Sequence, residues 1–309
     1  MNNCKRCGAA AVIDVRRHRA AFCADCFQHH CREQVRRTID SHRMIAPGER
    51  ALVAISGGKD SLAIWDILLD LGYDADGVYL GLGITDYSDT SRDFAERYAE
   101  QRGAKLHVVD LPTEHGFGIP DAAKATKRVP CSACGLSKRH LLNQAALDGG
   151  YDVLVTGHNL DDEAAVLFGN VLQWHTDYLA RQRPVLPATD GFARRVKPLI
   201  RISERETAAY CVLQRIDYIV EECPMAAGNR HLRYKETLND LEERSPGTKA
   251  VFYLQFLDKM LPLLESVAEE ERQLVGTCTR CGAPSTAEVC AFCKLVERAA
   301  PEPISDSGR

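Results

Sequence analysis

Thirteen cysteines, a glycine-rich lysine motif and a run of carboxylates carry most of the chemistry available to this 309-residue sequence. Ten of the cysteines fall into five Cys-x-x-Cys pairs. Fifteen residues separate Cys4/Cys7 from Cys23/Cys26, and eight separate Cys278/Cys281 from Cys290/Cys293. Two pairs so spaced suit a four-thiolate zinc site, because each turn sets two sulfurs on one side of the ion. Neither segment is long enough to bury a core of its own, so a metal takes that role. The spacing therefore predicts one Zn2+ at each end of the chain. His29, His30 and Cys31 are not needed as ligands, since the first set is complete.

The fifth pair differs. Cys131-Ser132-Ala133-Cys134 is framed by Pro130 and Gly135 and runs into a helix carrying Lys138, Arg139 and His140. A helix N-terminus lowers thiol pKa and makes thiolate, which serves as nucleophile or metal ligand. No second pair lies nearby, but Cys223 follows in Glu221-Glu222-Cys223-Pro224. Three cysteines leave one metal position open, which fits a 4Fe–4S cluster with one free iron. They fit equally a redox pair with a resolving thiol. Cys211, in an apolar helical stretch, reads as core.

Ser56-Gly57-Gly58-Lys59-Asp60-Ser61 follows the apolar run Ala51–Ile55 and precedes an amphipathic run. This is a strand, a tight turn and a helix. Glycines admit a close ligand, helix N–H groups face an anion, and Ser56, Ser61 and Lys59 add donors and charge. The motif suits phosphate but lacks the spacing of a Walker A loop. The plain alternative is a glycine turn before a Ser-capped helix. Gly157-His158-Asn159-Leu160-Asp161-Asp162-Glu163 follows a second apolar strand, Tyr151–Thr156. Carboxylates there hold Mg2+ or orient a nucleotide, or else favour their own helix N-terminus. Asp60 joins that set or occupies the first turn of its helix.

These residues need a scaffold. Strands at 51–55, 76–84, 105–111 and 151–156 alternate with helices, which predicts an α/β fold with a doubly wound parallel sheet. Ligands bind at the carboxyl ends of such strands. Pro112–Pro130 and residues 173–200 read as loops, the second rich in Arg181, Arg183, Arg194, Arg195 and Lys197. Residues 236–275 read as helices interrupted at Ser245-Pro246-Gly247. The expected organisation is a zinc module at 1–31, a catalytic domain at 32–220, a helical region at 221–275 that could bind a nucleic-acid backbone, a second zinc module at 276–296 and a disordered tail at 297–309.

A hydrophobic content of 45% and a charged content of 27% are ordinary for a globular chain. No apolar run approaches a membrane span, and the N-terminus has no signal-peptide core, so a cytoplasmic location is expected. A net charge of −4 argues against wholesale nucleic-acid binding. Residues 1–43 nevertheless carry nine Lys/Arg against four Asp/Glu. Basic Gly228–Lys235, with Tyr234, reads as a phosphate-backbone contact or a solvated helix face.

SGGKDS resembles the pyrophosphate loop of the ATP-pyrophosphatase superfamily. Together with PCSACG and Lys138, GHNLDDEA, ECP and the terminal zinc modules, it resembles the tRNA 2-thiolation enzymes of the TtuA/TtcA group over Cys4–Cys293. The zinc modules and Trp174–Pro187 place it nearest the TtuA branch, which acts on 5-methyluridine of the tRNA T-loop. The resemblance implies an adenine nucleotide alpha hydrolase-like PP-loop fold. It implies that residues 56–61 bind ATP phosphates and that Gly157, His158 and Asn159 line the nucleotide pocket. Cys131, Cys134 and Cys223 would hold an oxygen-sensitive 4Fe–4S cluster. Asp60, Lys138 and Asp161 or Asp162 would form the catalytic set.

The implied reaction adenylates uracil O2 with ATP, releases pyrophosphate with help from Mg2+ and Lys59, and lets sulfide on the open iron displace AMP. In a persulfide variant, Cys131 or Cys134 carries the sulfur. The implied partners are tRNA and a ubiquitin-like protein bearing a C-terminal thiocarboxylate. Oligomeric state stays open, a homodimer included. Thiolation of wobble uridine or cytidine, an amide-forming ligase on the same fold, and a non-catalytic RNA-binding zinc protein are the competing readings.

Overall fold

The apolar run at residues 51–55 lies inside a six-stranded sheet, where both of its faces are covered. The computed structural model describes residues 3–127, 129–226, 230–264 and 276–300. The chain begins with a hairpin of β1 (Ile13–Val15) and β2 (Ala20–Phe22), then α1 (Ala24–His42). β3 (Arg50–Ile55), α2 (Lys59–Asp70), β4 (Asp74–Gly81), α3 (Thr85–Arg102) and β5 (Leu106–Asp110) follow. Short helices α4 (Leu111–His115) and α5 (Ile119–Thr126) lead to α6 (Pro130–Asp148), β6 (Val153–Thr156), α7 (Leu160–Gln173) and α8 (Thr176–Ala180). Next come β7 (Val185–Leu186), β8 (Arg194–Val196), α9 (Glu204–Gln214), α10 (Arg230–Arg244) and α11 (Thr248–Gln255). A second hairpin, β9 (Gly276–Thr277) and β10 (Pro284–Ser285), precedes α12 (Ala291–Ala299).

The strand order is β5-β4-β3-β6-β8-β7, parallel except for the edge strand β7. The chain winds outward from β3 to β5, then returns to the far side of β3 as β6. The order therefore reverses between β3 and β6, where doubly wound sheets open a crevice at their carboxyl ends. SGGKDS leaves β3 and GHNLDD leaves β6, so both motifs border this crevice.

Both sheet faces are buried, as parallel sheets require. Val53 faces a cluster with Phe27, Trp65 and Tyr210 from α1, α2 and α9. Leu52 faces the other, with Ala133 and Leu141 of α6 and Phe292 of α12. A third cluster joins Leu160 and Leu167 of α7 to Leu238 of α10 and Tyr253 of α11.

Two stretches expected to be loops are structured. Pro112–Pro130 contains most of α4 and all of α5. Asp110 caps α4 by accepting the Thr113 N–H at 2.9 Å, and Ile119, Ala122 and Ala123 bury one face of α5. Residues 173–200 contain α8, β7 and β8, which extend the sheet beyond β6. Strands of two and three residues are too short to show an alternating pattern. Of the expected elements, Gly228 and Asn229 of the basic segment, 265–275 of the helical stretch and the tail from residue 301 lie outside the described residues. Among the described residues, no helix is long and apolar enough to cross a membrane.

Candidate active site and metal centres

Gly58 caps α2 without any side-chain hydrogen bond, so the first N–H groups of the helix have no partner from a capping side chain. That is the condition an anion site needs. Gly57 has φ +72°, and a Cβ there would lie 2.2 Å from the Ser91 carbonyl oxygen. Ser61 Oγ accepts the Ser56 N–H at 3.1 Å, and the two hydroxyls are 3.2 Å apart. Gly157 closes the other side. A Cβ at Gly157 would come within 2.9 Å of the Asp60 backbone, so the two motifs touch through bare main chain.

The charged groups at this crevice form one connected set. Lys59 Nζ lies 3.1 Å from Asp60 Oδ2 and 2.8 Å from Glu204 Oε1. Burial works against the Lys59 charge, but Asp60 and Glu204 outweigh it and raise its pKa. Burial also raises the Asp60 carboxyl above the usual aspartate range, opposed by Lys59 and by the hydroxyl of Thr207, which donates to Asp60 Oδ1. Lys235 of α10 bridges Asp162 Oδ1 at 2.5 Å and Glu204 Oε2 at 3.1 Å. Partial burial opposes ionisation of Glu204, yet Lys59 and Lys235 hold its carboxyl down at about 2.

The neighbouring aspartates play different parts. Asp161 is buried, ion-paired with Lys249, and accepts the Glu204 N–H at 2.9 Å through its other oxygen. Asp162 has a side chain 25% exposed and adds to the field that raises Asp60, so it faces the crevice. Asn159 caps α7, accepting N–H bonds from Asp161 and Asp162 at 2.9 and 3.1 Å. Its Nδ2 is buried beside Asp60 with no hydrogen bond of normal geometry. An orphaned donor, a glycine cradle and an uncapped helix fit a nucleotide polyphosphate. His158 reaches solvent from a concave position and contacts Thr156 Oγ1 at 2.9 Å. The surrounding atoms, then Lys197, lower its pKa, so the neutral ring is favoured.

Pro130 opens α6, so Cys131 and Cys134 lie in its first turn. Lys138 follows four residues after Cys134, on the same helix face. Cys134 feels the charges of Lys138, Cys223 and Cys131. Burial pushes its thiol up, with Lys138 opposing, whereas helix position alone predicts a lowered value. Cys131 Sγ contacts the Met225 carbonyl at 3.5 Å, and Tyr87, packed against the same apolar cluster as Cys223 and Cys134, lies within reach of their charges. The chain thus brings the three cysteines together with no fourth cysteine beside them. Their sulfurs do not all fall within 4.8 Å of one another, unlike those of the two terminal sets.

The terminal cysteines do collapse into tetrads. Cys4, Cys7, Cys23 and Cys26 form one, and Cys278, Cys281, Cys290 and Cys293 the other, each with all sulfurs within 4.8 Å. Cys7–Cys23, Cys281–Cys290 and Cys278–Cys293 sulfur separations are 3.6, 3.7 and 3.9 Å. A tetrahedral ion with Zn–S bonds of about 2.3 Å sets sulfurs about 3.8 Å apart, so both tetrads fit zinc. Backbone N–H donors lower the Cys4 and Cys278 thiols to about 6, whereas burial and the neighbouring thiols push Cys26 and Cys293 up, so without an ion the charge of each tetrad is concentrated on one sulfur.

Residues 3–28 match the family described as 2-thiouridine synthetase TtuA, N-terminal LIM domain. Over 292 residues the chain is 50% identical to the tRNA-5-methyluridine(54) 2-sulfurtransferase of Thermus thermophilus, covering 94% of this chain and 90% of that protein. The chain belongs to the tRNA-5-methyluridine(54) 2-sulfurtransferase family. The Pyrococcus horikoshii member is 41% identical over 94% of this chain and 93% of its own. The U34-tRNA thiolase NcsA from Methanococcus maripaludis, solved with its [4Fe-4S] cluster, shares the fold. Its TM-score is 0.81 at 24% identity, covering 98% of both chains.

In this chain, three groups at the crevice lie outside the sequence motifs. Glu204 and Thr207 belong to none of them, and Lys235 is one of several basic residues of the 228–235 segment. They come from α9 and α10 and meet SGGKDS only through tertiary packing.

Proposed function

We propose that this chain is an ATP-dependent tRNA 2-sulfurtransferase acting on 5-methyluridine at position 54. One observation carries the reading. Ser91 backs the phosphate loop, and Tyr87, four residues earlier on α3, lies within reach of the charges of Cys134 and Cys223. That spacing is roughly 6 Å of helix rise. The Ile219 N–H also bonds the Gly57 carbonyl at 3.0 Å, four residues before Cys223. A polyphosphate site and three converging thiols at one sheet edge suit activation of a carbonyl oxygen followed by sulfur transfer. An amide-forming ligase has no use for the thiols, and a non-catalytic RNA binder has no use for the phosphate loop.

The chemistry divides among the residues. The loop N–H groups, Ser56, Ser61 and Lys59 hold the phosphates of ATP. Asp60 and Asp162 face each other across the crevice and would hold Mg2+ against the leaving pyrophosphate. Uracil O2 attacks the α-phosphorus, pyrophosphate leaves, and the C2–O bond becomes one to a good leaving group. A sulfide sulfur then bonds C2 and AMP departs with the former carbonyl oxygen. Lys138 has no ion-pair partner among the described residues and is placed to balance charge at C2. A 4Fe–4S cluster on Cys131, Cys134 and Cys223 would leave one iron free to bring the sulfur. The tetrads would each hold Zn2+ as structural braces. The sulfur source is a thiocarboxylate-bearing small protein.

Arg195 and Arg139 support tRNA as substrate. Burial and then Arg139 lower the Arg195 pKa, and neither has a hydrogen-bonded or ion-paired partner among the described residues. Arg195 also acts on His158, at the crevice. Such cations are suited to phosphodiesters.

The test is nucleoside mass spectrometry of tRNA from a strain lacking the chain, beside its parent. Selective loss of 2-thio-5-methyluridine is expected. Loss of wobble 2-thiouridine or of 2-thiocytidine instead moves the substrate, and an unchanged profile overturns the thiolation reading.

A further inference from the structure

We propose that Lys235 is a second polyphosphate-binding lysine, latched on Glu204 and Asp162 in the nucleotide-free protein and passed to the β- and γ-phosphates when ATP enters. This rests on the reading of SGGKDS as an ATP site. Glu204 is gripped from both sides: its Oε1 lies 2.8 Å from Lys59 Nζ and its Oε2 lies 3.1 Å from Lys235 Nζ. The two ammonium groups are thus one carboxylate apart, and Lys59 belongs to the phosphate loop itself. Glu204 stands in for the anion that both lysines are built to meet.

Lys235 is not an incidental surface lysine. Its side chain is 20% exposed, and α10 is packed on α7 on both sides of it in sequence. Tyr234 packs edge-on against Phe168, and its ring fills the space where Gly169 lacks a Cβ, which would come 2.7 Å away. Leu238, one turn later, is buried in the α7–α11 cluster. The groups facing the Lys235 ammonium are Asp162 from α7 and Glu204 from α9, with His231 one turn earlier on its own helix.

Local charge explains why a second cation is needed. Asp60, Asp162 and Glu204 surround the loop against Lys59 and Lys235, so the crevice is net acidic before a polyphosphate arrives. A single lysine faces those carboxylates and the triphosphate alone. A latch that hands both lysines to the anion as it displaces Glu204 gives the triphosphate two cations rather than one, with no proton transferred.

The test compares nucleotides with and without the terminal phosphates on the intact holoenzyme. α,β-Methylene ATP with magnesium and AMP are titrated against wild type, Lys235→Met and Lys235→Arg. The expected result is a loss of about 10- to 100-fold for the ATP analogue in Lys235→Met, matching one charge-assisted hydrogen-bonding group. AMP affinity and tRNA affinity stay within about twofold, and Lys235→Arg recovers most of the loss. Unchanged binding of the analogue overturns the proposal. Equal loss of AMP and analogue assigns Lys235 to bracing the pocket, and loss confined to tRNA assigns it to the RNA; both overturn it too. The thiolation reading fails on a different measurement, the tRNA nucleoside profile, which this titration does not touch.

Discussion

Tyr87 and Ser91 lie one turn apart on α3, the second against Gly57 of the SGGKDS turn and the first within reach of the charges of Cys134 and Cys223. Tyr79 fixes this turn, with its hydroxyl 2.6 Å from both the Ser88 carbonyl and Ser91 Oγ. The SGGKDS turn and the region of Cys134 and Cys223 are therefore linked through one helix.

Gly57→Ala tests that spacing. The added methyl would meet the Ser91 carbonyl at 2.2 Å, and backbone cannot step aside as a side-chain tip does. The left-handed φ adds strain of its own. The expected outcome is a loss of about 1–3 kcal/mol in denaturant stability, with weakened ATP binding in the fraction that folds. Wild-type stability and ATP affinity in the variant would show that the loop does not rest on α3.

Glu204 sets a pH signature. An ordinary glutamate titrates near 4.5, and this one is held at about 2 because the lysine pair favours its charged form. A depressed folded-state pKa gives stability that is present above about pH 4.5 and lost as pH falls toward about 2. Glu204→Gln should therefore melt at a lower temperature than wild type at neutral pH, and the gap should close through that acid window. Thermal denaturation followed by circular dichroism reads it. A gap independent of pH would mean that the carboxylate contributes nothing through its charge.

Much of the site was legible because its parts are local. Six consecutive residues specify the glycine turn before α2, and Cys-x-x-Cys spacing specifies each cysteine tetrad without reference to the fold. Glu204, Thr207 and Lys235 were not legible, since helices far apart in sequence supply them and a glutamate in the first turn of a helix looks the same whether or not a lysine reaches it. The choice between Asp161 and Asp162 was closed to sequence for a related reason. Successive helix residues point about 100° apart, and only packing decides which one Lys249 draws inward. β7 and β8 escaped because so short a strand is defined by its neighbour.

The C-terminal zinc module should stabilise the cysteine helix. Phe292 of α12 stacks on His140 of α6 with ring centroids 4.1 Å apart and meets His115 edge-on at 5.2 Å. It is buried, so Phe292→Ala is expected to cost about 3–5 kcal/mol. Cys278→Ser should lose one zinc ion per chain and shift stability in the same direction, measured by metal analysis and denaturation together. Loss of zinc without loss of stability would separate the module from α6.

Arg195 offers the sharpest view of the RNA face. It sits on β8 next to buried Val196, and the charges that act on it are those of Arg139, which opposes its own, and Glu163, which favours it. Removing it should weaken tRNA binding and lower the slope of log affinity against log salt by about 1, the mark of one lost phosphate contact. Arg195→Lys should keep most of the slope, because a lysine still releases a counterion from the backbone. ATP affinity should not change in either variant, since Glu163, the nearby carboxylate, is already held by Lys197 at 2.8 Å and no group of the phosphate loop depends on Arg195. Filter binding across a salt series decides the matter. An unchanged slope in Arg195→Ala would place the tRNA backbone elsewhere and leave the guanidinium as support for the β8 edge.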